Sequence, residues 1–341
     1  MNATIHPFPR PSDTGAEPGL EPLMALVATG MNSVNAVILD RMQSRIPLIP
    51  ALAGHLIAGG GKRMRPMLTL SSAALLDYAG TRQHKLAAAV EFIHTATLLH
   101  DDVVDGSELR RGKHTANIVF GNPATVLVGD FLFSRAFELM VEDGGLKVLR
   151  ILSNASAVIA EGEVDQLTAQ RQIETSEDRY LSIIGAKTAA LFAAACRIAA
   201  VVAERPEADE RAHDDYGRNL GIAFQLVDDA IDYDSDADTM GKGRGDDFRE
   251  GKMTLPVILA YARGTEAERK FWRDAISGHR TSEADLGEAI RLIGSHDAVT
   301  ATRDRARHFA DRAIDAIAGF PASAAKAAMT EAAQFAVARR Y

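Results

Sequence analysis

Cysteine is almost absent from this chain of 341 residues, with Cys196 as its single example. One cysteine cannot form an internal disulfide, which excludes the disulfide-stapled secreted folds and fits a reducing, cytoplasmic compartment. An excess of basic residues is also missing, because the formal net charge is −8. Broad nucleic-acid binding needs a positive field, so this charge balance argues against it.

We expect neither a membrane-spanning apolar run nor a secretory leader. The longest apolar stretch, residues 188–203, is interrupted by Arg197 and is too short to cross a bilayer, so we expect a buried helix there. The first residues show no basic start followed by an apolar core, and they are rich in proline, glycine and polar side chains. We therefore expect residues 1–21 to form a mobile N-terminal arm.

The rest of the sequence has the pattern of one helix after another. Apolar residues recur at helical spacing in HKLAAAVEFIHTATLLHDDVVD, NPATVLVGDFLFSRAFELMVE and EDRYLSIIGAKTAALFAAACRIAAVVAE. The strand–helix alternation of a parallel sheet is absent, and no fixed repeat or linker divides the chain. We therefore expect a single all-α domain over residues 22–341, with residues 235–254 as its one long loop.

Two aspartate clusters of identical spacing, DDVVD at 101–105 and DDAID at 228–232, each follow an apolar helical run. In each cluster the first and last carboxylates lie one helical turn apart on one face. Crowded carboxylates repel unless a cation compensates them, and Mg²⁺ takes one or two carboxylates together with substrate phosphates. One cluster alone is equally well explained as a solvated helix end, but two clusters predict a metal site. The predicted metal-binding residues are Asp101, Asp102, Asp105, Asp228, Asp229 and Asp232.

Basic side chains are interleaved with the two aspartate clusters. Any one of them is explained as an exposed surface cation, but Lys187 lies inside an apolar helix, where a lysine without a partner is costly. The segment GGGKRMRP does not have the spacing of a P-loop. Cations beside metal-binding carboxylates indicate substrates that carry diphosphate groups. The basic residues concerned are Lys62, Arg63, Arg65, Arg110, Arg111, Lys187, Lys242 and Lys252.

These motifs, in this order, resemble the trans-isoprenyl diphosphate synthase family, also called polyprenyl synthetases. The resemblance covers roughly residues 55–260, and FIHTATLLHDDVVD is most similar to octaprenyl, solanesyl and decaprenyl diphosphate synthases. It implies an all-α isoprenoid-synthase helical bundle around a deep central cavity. The other matching segments are GGGKRMRP, GDFLFSRAF, EGEVDQL, AKTAALFAAAC, FQLVDDAIDYDSD and GKGRGDDFREGKMTLP.

The resemblance implies a prenyltransferase that condenses isopentenyl diphosphate head-to-tail onto an allylic diphosphate such as farnesyl or geranyl diphosphate. Mg²⁺, normally three ions per active site with Mn²⁺ as an alternative, would assist ionisation to an allylic cation, which the second substrate attacks. The expected partners are these two substrates and a second copy of the chain in a homodimer. Neither nucleic acid nor more than transient membrane contact is expected, and the product would serve the ubiquinone side chain.

The resemblance also assigns roles to individual residues. The direct metal ligands would be Asp101, Asp105 and Asp228, with Asp102, Asp229 and Asp232 in support. The allylic diphosphate would contact Arg110, Lys187 and Lys252. Isopentenyl diphosphate would contact Lys62, Arg65, His94 and Arg111, and Lys242 would belong to a closing loop. Oxygen dipoles near the reacting carbon would come from Thr188 and Gln225, while Glu163 and Gln166 would face the cavity.

Ala96 and Thr97, five and four residues before Asp101, are predicted to set the product length. We expect both to lie one turn deeper than Asp101 and to face roughly the same side. A bulky aromatic residue near this position closes the tunnel in short-chain members of the family, so the small Ala96 implies a long product.

Several alternatives stay open at this point. They are a shorter-chain farnesyl or geranylgeranyl diphosphate synthase, a terpene cyclase or head-to-head synthase of the same fold, and a non-catalytic protein, either a partner subunit or an acidic metal-binding scaffold. Cyclases lack GGGKRMRP, and silent subunits usually lose an aspartate cluster, whereas this chain has both features. Two interpretations stay open for the terminal ARRY, a segment that covers the active site and a frayed basic tail, of which the frayed tail is the default expectation.

Overall fold

The structure is a computed structural model that describes residues 18–58, 61–110, 112–234 and 245–339. The expected N-terminal arm lies outside the described residues apart from residues 18–21, so the domain boundary at residue 22 stays a prediction. Two predicted substrate-binding residues, Arg111 and Lys242, also lie outside them.

Helices make up most of the described chain, which confirms the all-α prediction. The elements are α1 (Glu21–Arg41), α2 (Leu48–Ala58), α3 (Met64–Leu75), α4 (Arg82–Val104), β1 (Leu109–Arg110), β2 (Lys113–His114), α5 (Ala116–Phe120), α6 (Asn122–Asp143), α7 (Leu146–Ala169), α8 (Glu177–Ile184), α9 (Ala190–Val202), α10 (Glu207–Ile231), α11 (Asp246–Glu250), α12 (Leu255–Arg263), α13 (Glu266–Trp272), α14 (Glu283–Ser295), α15 (Ala298–Ala316) and α16 (Ala324–Ala338).

A small hairpin directly after the first aspartate cluster was not predicted. Leu109 pairs with His114 and Arg110 with Lys113 in an antiparallel arrangement of two residues per strand. The hairpin is too short to show the alternating pattern by which strands are recognised in a sequence. It places Arg110 beside the end of α4.

The expected buried helix, residues 188–203, corresponds to α9 and the end of a π-helical segment, Gly185–Ala189, that joins it to α8. The residues of α9 are almost all buried, which confirms the buried-helix prediction for residues 188–203. Among the described residues, two helical stretches, Glu21–Arg41 and Glu177–Val202, are long and apolar enough to span a membrane by length and composition, and the second is mostly buried in the bundle. Single π turns inside helices often occur at functional sites, and this one carries Lys187 and Thr188.

The predicted long loop, residues 235–254, contains a helix and is therefore not all loop. Residues 235–244 lie outside the described chain, but α11 forms directly after them. Gly245 and Gly251 flank α11 with φ angles of +76° and +74°, a left-handed conformation that glycine adopts without strain. The two glycines thus begin and end this short helix.

The core is built around α4, α9 and α10. The first of these packs along α6, while α10 lies between α9 and α15. Gly217 lets α10 approach α9 closely, because a Cβ atom there would lie 2.4 Å from the carbonyl oxygen of Phe192. This close contact places the C-terminal end of α10, with the second aspartate cluster, beside the segment that carries Lys187.

Candidate active site

The first aspartate cluster lies at the end of α4, where Lys187 joins it to α7. The Lys187 Nζ atom is 3.6 Å from Asp101 Oδ2 and 2.8 Å from Glu163 Oε2. Gly162 makes this possible, because a Cβ atom there would lie 2.7 Å from the Cβ atom of Ala186. Burial raises the pKa of both Asp101 and Glu163, and the Lys187 ammonium opposes that rise. A cation is thus already needed to hold these two carboxylates together.

Lys252 brings a distant part of the chain to the same cluster. Its Nζ atom donates to Asp105 Oδ2 at 3.0 Å, across 147 residues of sequence, and it also contacts Glu250. Burial alone would lower the pKa of Lys252, but the carboxylates of Asp247, Asp105 and Glu250 raise it above its ordinary value. The ammonium therefore stays charged beside the first cluster, where the sequence predicted a diphosphate contact.

Asp102 has a different environment from its neighbour Asp101. Its side chain is only 4% exposed, and its Oδ1 atom accepts from Arg110 Nη2 at 2.7 Å and from Arg110 Nε at 3.1 Å. Asn117 donates to the backbone oxygen of Asp102 at 3.1 Å. The ion pair between Arg110 and Asp102 joins the hairpin to α4. The predicted roles of Asp102 as a metal-supporting residue and of Arg110 as a diphosphate contact stay predictions.

In the second cluster a buried chain of hydrogen bonds runs through Asp229. The Tyr180 hydroxyl donates to Asp229 Oδ2 at 2.6 Å, and Gln225 Nε2 donates to Asp229 Oδ1 at 2.8 Å. The Thr188 hydroxyl in turn donates to Gln225 Oε1 at 2.9 Å. The sequence had not singled out Tyr180, because a lone tyrosine in an amphipathic helix carries no signal of its own.

Asp232, the last residue of the second cluster, accepts a hydrogen bond from the backbone N–H of Asp247 at 3.2 Å. Burial, together with the negative charge of Asp247, raises the pKa of Asp232 to about 8 and that of Asp229 to about 7. Repulsion from the Asp247 carboxylate thus contributes to both pKa shifts at this end of α10. A bound cation would relieve that repulsion.

Arg339 covers the remaining carboxylate of the second cluster. Its Nη1 atom lies 2.6 Å from Asp228 Oδ1, and its Nη2 atom donates to the Phe224 backbone oxygen at 2.5 Å. The guanidinium carbon is 3.8 Å from the centre of the Phe224 ring, a cation–π contact. The Arg339 side chain is only 7% exposed, against 44% for Asp228. The expectation of a frayed tail is therefore wrong for Arg339, while residues 340–341 lie outside the described chain.

The predicted isopentenyl diphosphate contacts lie at the start of α3 and on α4. Burial lowers the pKa of Arg65 to about 10, and its guanidinium carbon lies 4.5 Å from the Phe192 ring centre. Lys62 has its ammonium 4.9 Å from the centre of the Phe335 ring on α16. His94 is half-buried, and its backbone oxygen accepts from the hydroxyl of a threonine one turn further along.

The two predicted chain-length residues do not face the same way. At 3.6 residues per turn, Thr97 lies about 40° around the helix from Asp101, whereas Ala96 lies about 140° away. Their burial agrees, because Thr97 is half-buried and Ala96 is fully buried. The expectation of a shared face therefore holds for Thr97 and not for Ala96. Their effect on product length stays a prediction.

The donor set suits a hard divalent cation that arrives with its substrate. Within the described ranges, no three His, Cys, Asp or Glu side chains converge into a ready-made metal cage. Mg²⁺ usually needs only one or two carboxylates, the remaining ligands being water and substrate phosphates. The carboxylates of Asp101, Asp105 and Asp228 each have a lysine or arginine nitrogen within 3.6 Å, so cationic partners already occupy these positions.

Comparison with known proteins places this chain among the polyprenyl synthetases. The polyprenyl synthetase family model matches residues 46–293. The chain is 45% identical to the octaprenyl diphosphate synthase of Escherichia coli K12 over 323 residues, which are 94% of this chain and 99% of that protein. The polyprenyl synthase of Caulobacter crescentus CB15, solved with calcium and isoprenyl diphosphate, superposes with a TM-score of 0.92 at 53% identity, covering 96% and 99% of the two chains. The decaprenyl diphosphate synthase of Rhodobacter capsulatus gives a TM-score of 0.90 at 49% identity, covering 94% and 98%.

Proposed function

Because this chain belongs to the polyprenyl synthetase family, we propose that it makes an octaprenyl to decaprenyl diphosphate in the cytoplasm for the side chain of ubiquinone. It is a long-chain all-trans polyprenyl diphosphate synthase with the isoprenoid-synthase fold, and its substrates are isopentenyl diphosphate and an allylic diphosphate. One observation carries the site assignment: Lys187 contacts the first aspartate cluster, and the next residue, Thr188, contacts Gln225 beside the second. Both clusters thus serve one reaction centre.

We propose that Asp101, Asp105 and Asp228 hold Mg²⁺, with Mn²⁺ as an alternative. When bound, the metal stabilises the negative charge that develops on the departing diphosphate. The ammonium groups of Lys187 and Lys252 also stabilise that negative charge. They are already in place beside the first aspartate cluster, where the substrate diphosphate binds. Such preformed electrostatic stabilisation is most effective where water is excluded.

The later steps of the reaction depend on two side-chain oxygen atoms and on the exclusion of water. The hydroxyl oxygen of Thr188 and the amide oxygen of Gln225 place partial negative charge near the developing allylic cation. The double bond of isopentenyl diphosphate attacks that cation, and the departing diphosphate takes the proton that is lost. Water must be excluded until then, because it would quench the cation.

The proposed activity is tested by incubating the purified protein with Mg²⁺, farnesyl diphosphate and labelled isopentenyl diphosphate. The products are dephosphorylated and their chain length is measured by reverse-phase chromatography, with an EDTA-treated sample as the control. We expect octaprenyl to decaprenyl alcohols with Mg²⁺ and none with EDTA. Farnesyl or geranylgeranyl alcohol would favour the shorter-chain alternative, and no incorporation would favour a non-catalytic subunit.

Replacing Arg339 with alanine is expected to tighten cation binding in the absence of substrate. The guanidinium competes with the metal for Asp228, and a partly exposed ion pair of this kind contributes about 0.2–1 kcal/mol. The dissociation constant for Mn²⁺ should therefore fall by up to about fivefold, as measured by isothermal titration. Arg218→Ala is the control, because Arg218 pairs with Asp214 on α10, at 3.4 Å, instead of with a cluster carboxylate. Equal or weaker Mn²⁺ binding by the Arg339 variant would contradict the competition.

We also propose that the protein is a homodimer whose interface includes α5 and α6. Exposed large apolar side chains are concentrated on these two helices, and an exposed apolar patch of this kind marks a contact surface. The residues are Ile118, Val119, Val126, Leu127, Phe137 and Val141, with Leu127 66% exposed.

Replacing Leu127 with glutamate should shift the dimer to a monomer, because each interface would then have to bury unpaired charges. Size-exclusion chromatography with light scattering measures the mass directly. Met24→Glu is the matched control, because Met24 is a 54% exposed apolar residue on α1, outside the proposed interface. A wild-type monomer, or a Leu127→Glu protein that stays dimeric, would count against this interface.

A further inference from the structure

The two neighbouring aspartates at the start of the second cluster have opposite environments. Asp228 is 44% exposed on its side chain and is covered by Arg339. Asp229 is only 4% exposed as a residue, and each of its carboxylate oxygens already accepts a short hydrogen bond. An aspartate with both oxygens engaged in the core is poorly placed to hold a metal ion or its water shell. Its partners therefore indicate what it does.

The hydrogen-bond chain that ends on Asp229 has a fixed direction. Both oxygens of Asp229 accept hydrogen bonds, from Tyr180 and from Gln225, so Gln225 turns its amide N–H group toward Asp229 and its oxygen toward Thr188. That oxygen also only accepts, so the hydroxyl proton of Thr188 must point to Gln225. With its only proton directed at Gln225, the Thr188 hydroxyl can offer other groups only the lone pairs of its oxygen. The chain therefore determines which end of the O–H dipole Thr188 offers to its surroundings.

Tyr180 holds this arrangement in place from the other side. Its ring is buried, with 3% of the residue exposed, and its hydroxyl donates to the second oxygen of Asp229 at 2.6 Å. The donor comes from α8, while Asp229 and Gln225 lie on α10 and Thr188 lies in the π-helical segment between α8 and α9. Three adjacent segments are thus joined through one carboxylate.

We propose that Asp229 and Tyr180 are positioning residues that orient Gln225 and Thr188, so that Thr188 presents an oxygen lone pair and not a proton to the allylic carbon. This inference rests on the proposed function, in which positive charge develops at that carbon. A lone pair directed at the carbon stabilises the charge, whereas a proton directed at it destabilises the charge. Asp229 then acts on the reaction through Gln225 and Thr188, and the metal is left to the other carboxylates.

The experiment compares three variants with the wild type in the chain-elongation assay. Asp229→Asn introduces an amide that donates to Gln225 while Tyr180 still donates to its carbonyl, which reverses the chain. We expect kcat to fall by roughly a hundredfold, the scale of losing one oriented dipole at a charged transition state. Tyr180→Phe leaves the carboxylate in place and only frees it to rotate, so roughly a tenfold fall is expected. In both variants KM and the Mg²⁺ concentration for half-maximal activity should change less than about threefold.

Tyr216→Phe is the matched control. Tyr216 is also fully buried, and its hydroxyl donates to the backbone oxygen of Met329 at 2.8 Å, a contact that belongs to the core and not to the site. It should lower the thermal unfolding midpoint about as much as Tyr180→Phe does while leaving kcat within twofold of the wild type. Calorimetric binding of farnesyl thiodiphosphate with Mg²⁺ provides a readout independent of turnover, and the Asp229 and Tyr180 variants should bind it as the wild type does.

Each outcome bears on a different statement. A higher Mg²⁺ requirement or weaker analogue binding in Asp229→Asn would return Asp229 to the metal site and overturn the positioning role. Unchanged kcat in both Asp229→Asn and Tyr180→Phe would overturn it as well. If the wild type itself forms no prenyl product, the proposed function fails instead. That result differs from failure of the positioning role, in which the wild type is active and the variants either keep their kcat or are affected in metal binding.

Discussion

Replacing Asp101 with alanine should lower kcat by at least about a thousandfold. A metal bound to this carboxylate contributes several kcal/mol of charge stabilisation in the transition state, and each 1.36 kcal/mol corresponds to about a tenfold change in rate. The loss is enlarged because Lys187 would then face only Glu163, without the carboxylate that lies 3.6 Å from its Nζ atom. Initial rates with saturating Mg²⁺ and both substrates measure the effect.

Asp228→Ala should give a loss of similar size, since the second cluster binds the same substrate diphosphate. Asp40→Ala is the control for removing one negative charge, because Asp40 lies on α1 with a side chain that is 78% exposed. The control should retain wild-type activity, and circular dichroism should show that all three variants keep their helices. A rate for Asp101→Ala within tenfold of the wild type would mean that this carboxylate does not bind the metal.

Replacing Ala96 with tyrosine should shorten the product from the octaprenyl to decaprenyl range toward farnesyl or geranylgeranyl diphosphate. This prediction places the growing apolar tail along the buried side of α4, where an aromatic ring at the fully buried position 96 would fill the space that the tail needs. Overpacking of a buried alanine also costs about 1–3 kcal/mol of stability, so thermal unfolding must accompany the assay. Product length is measured by chromatography of the dephosphorylated alcohols.

Two further variants locate the path of the tail. Ala96→Val adds less volume and should leave the product length nearly unchanged, which makes it the control for a small packing change. Thr97→Tyr places the same ring on the half-buried face, nearer to Asp101. If only Thr97→Tyr shortens the product, the tail follows the face of Asp101 and the assignment of Ala96 is wrong. If only Ala96→Tyr does so, the tail runs along the buried side of α4.

The chemistry of the site was accessible from the sequence wherever it depends on local spacing. Asp101 and Asp105 share a helix face because they are four residues apart, and Asp228 and Asp232 repeat that geometry. Lys187 was singled out because a lysine in an apolar helix needs a partner, and the structure supplies two. Spacing failed for Ala96, where five residues were taken as roughly one turn although they rotate the side chain well past it.

The sequence by itself determined the helices, the two carboxylate faces and the cations that accompany them, because these follow from periodicity within a few residues along the chain. The tertiary structure alone decided which partners each group has. Tyr180 meets Asp229 across 49 residues, Lys252 meets Asp105 across 147, and Arg339 meets Asp228 across 111. No local pattern encodes such contacts, since they arise only when separate helices pack and a buried polar group must find its hydrogen-bond partner. The same packing makes neighbouring aspartates differ, because Asp228 is partly exposed and pairs with Arg339, whereas Asp229 is buried between two hydrogen-bond donors.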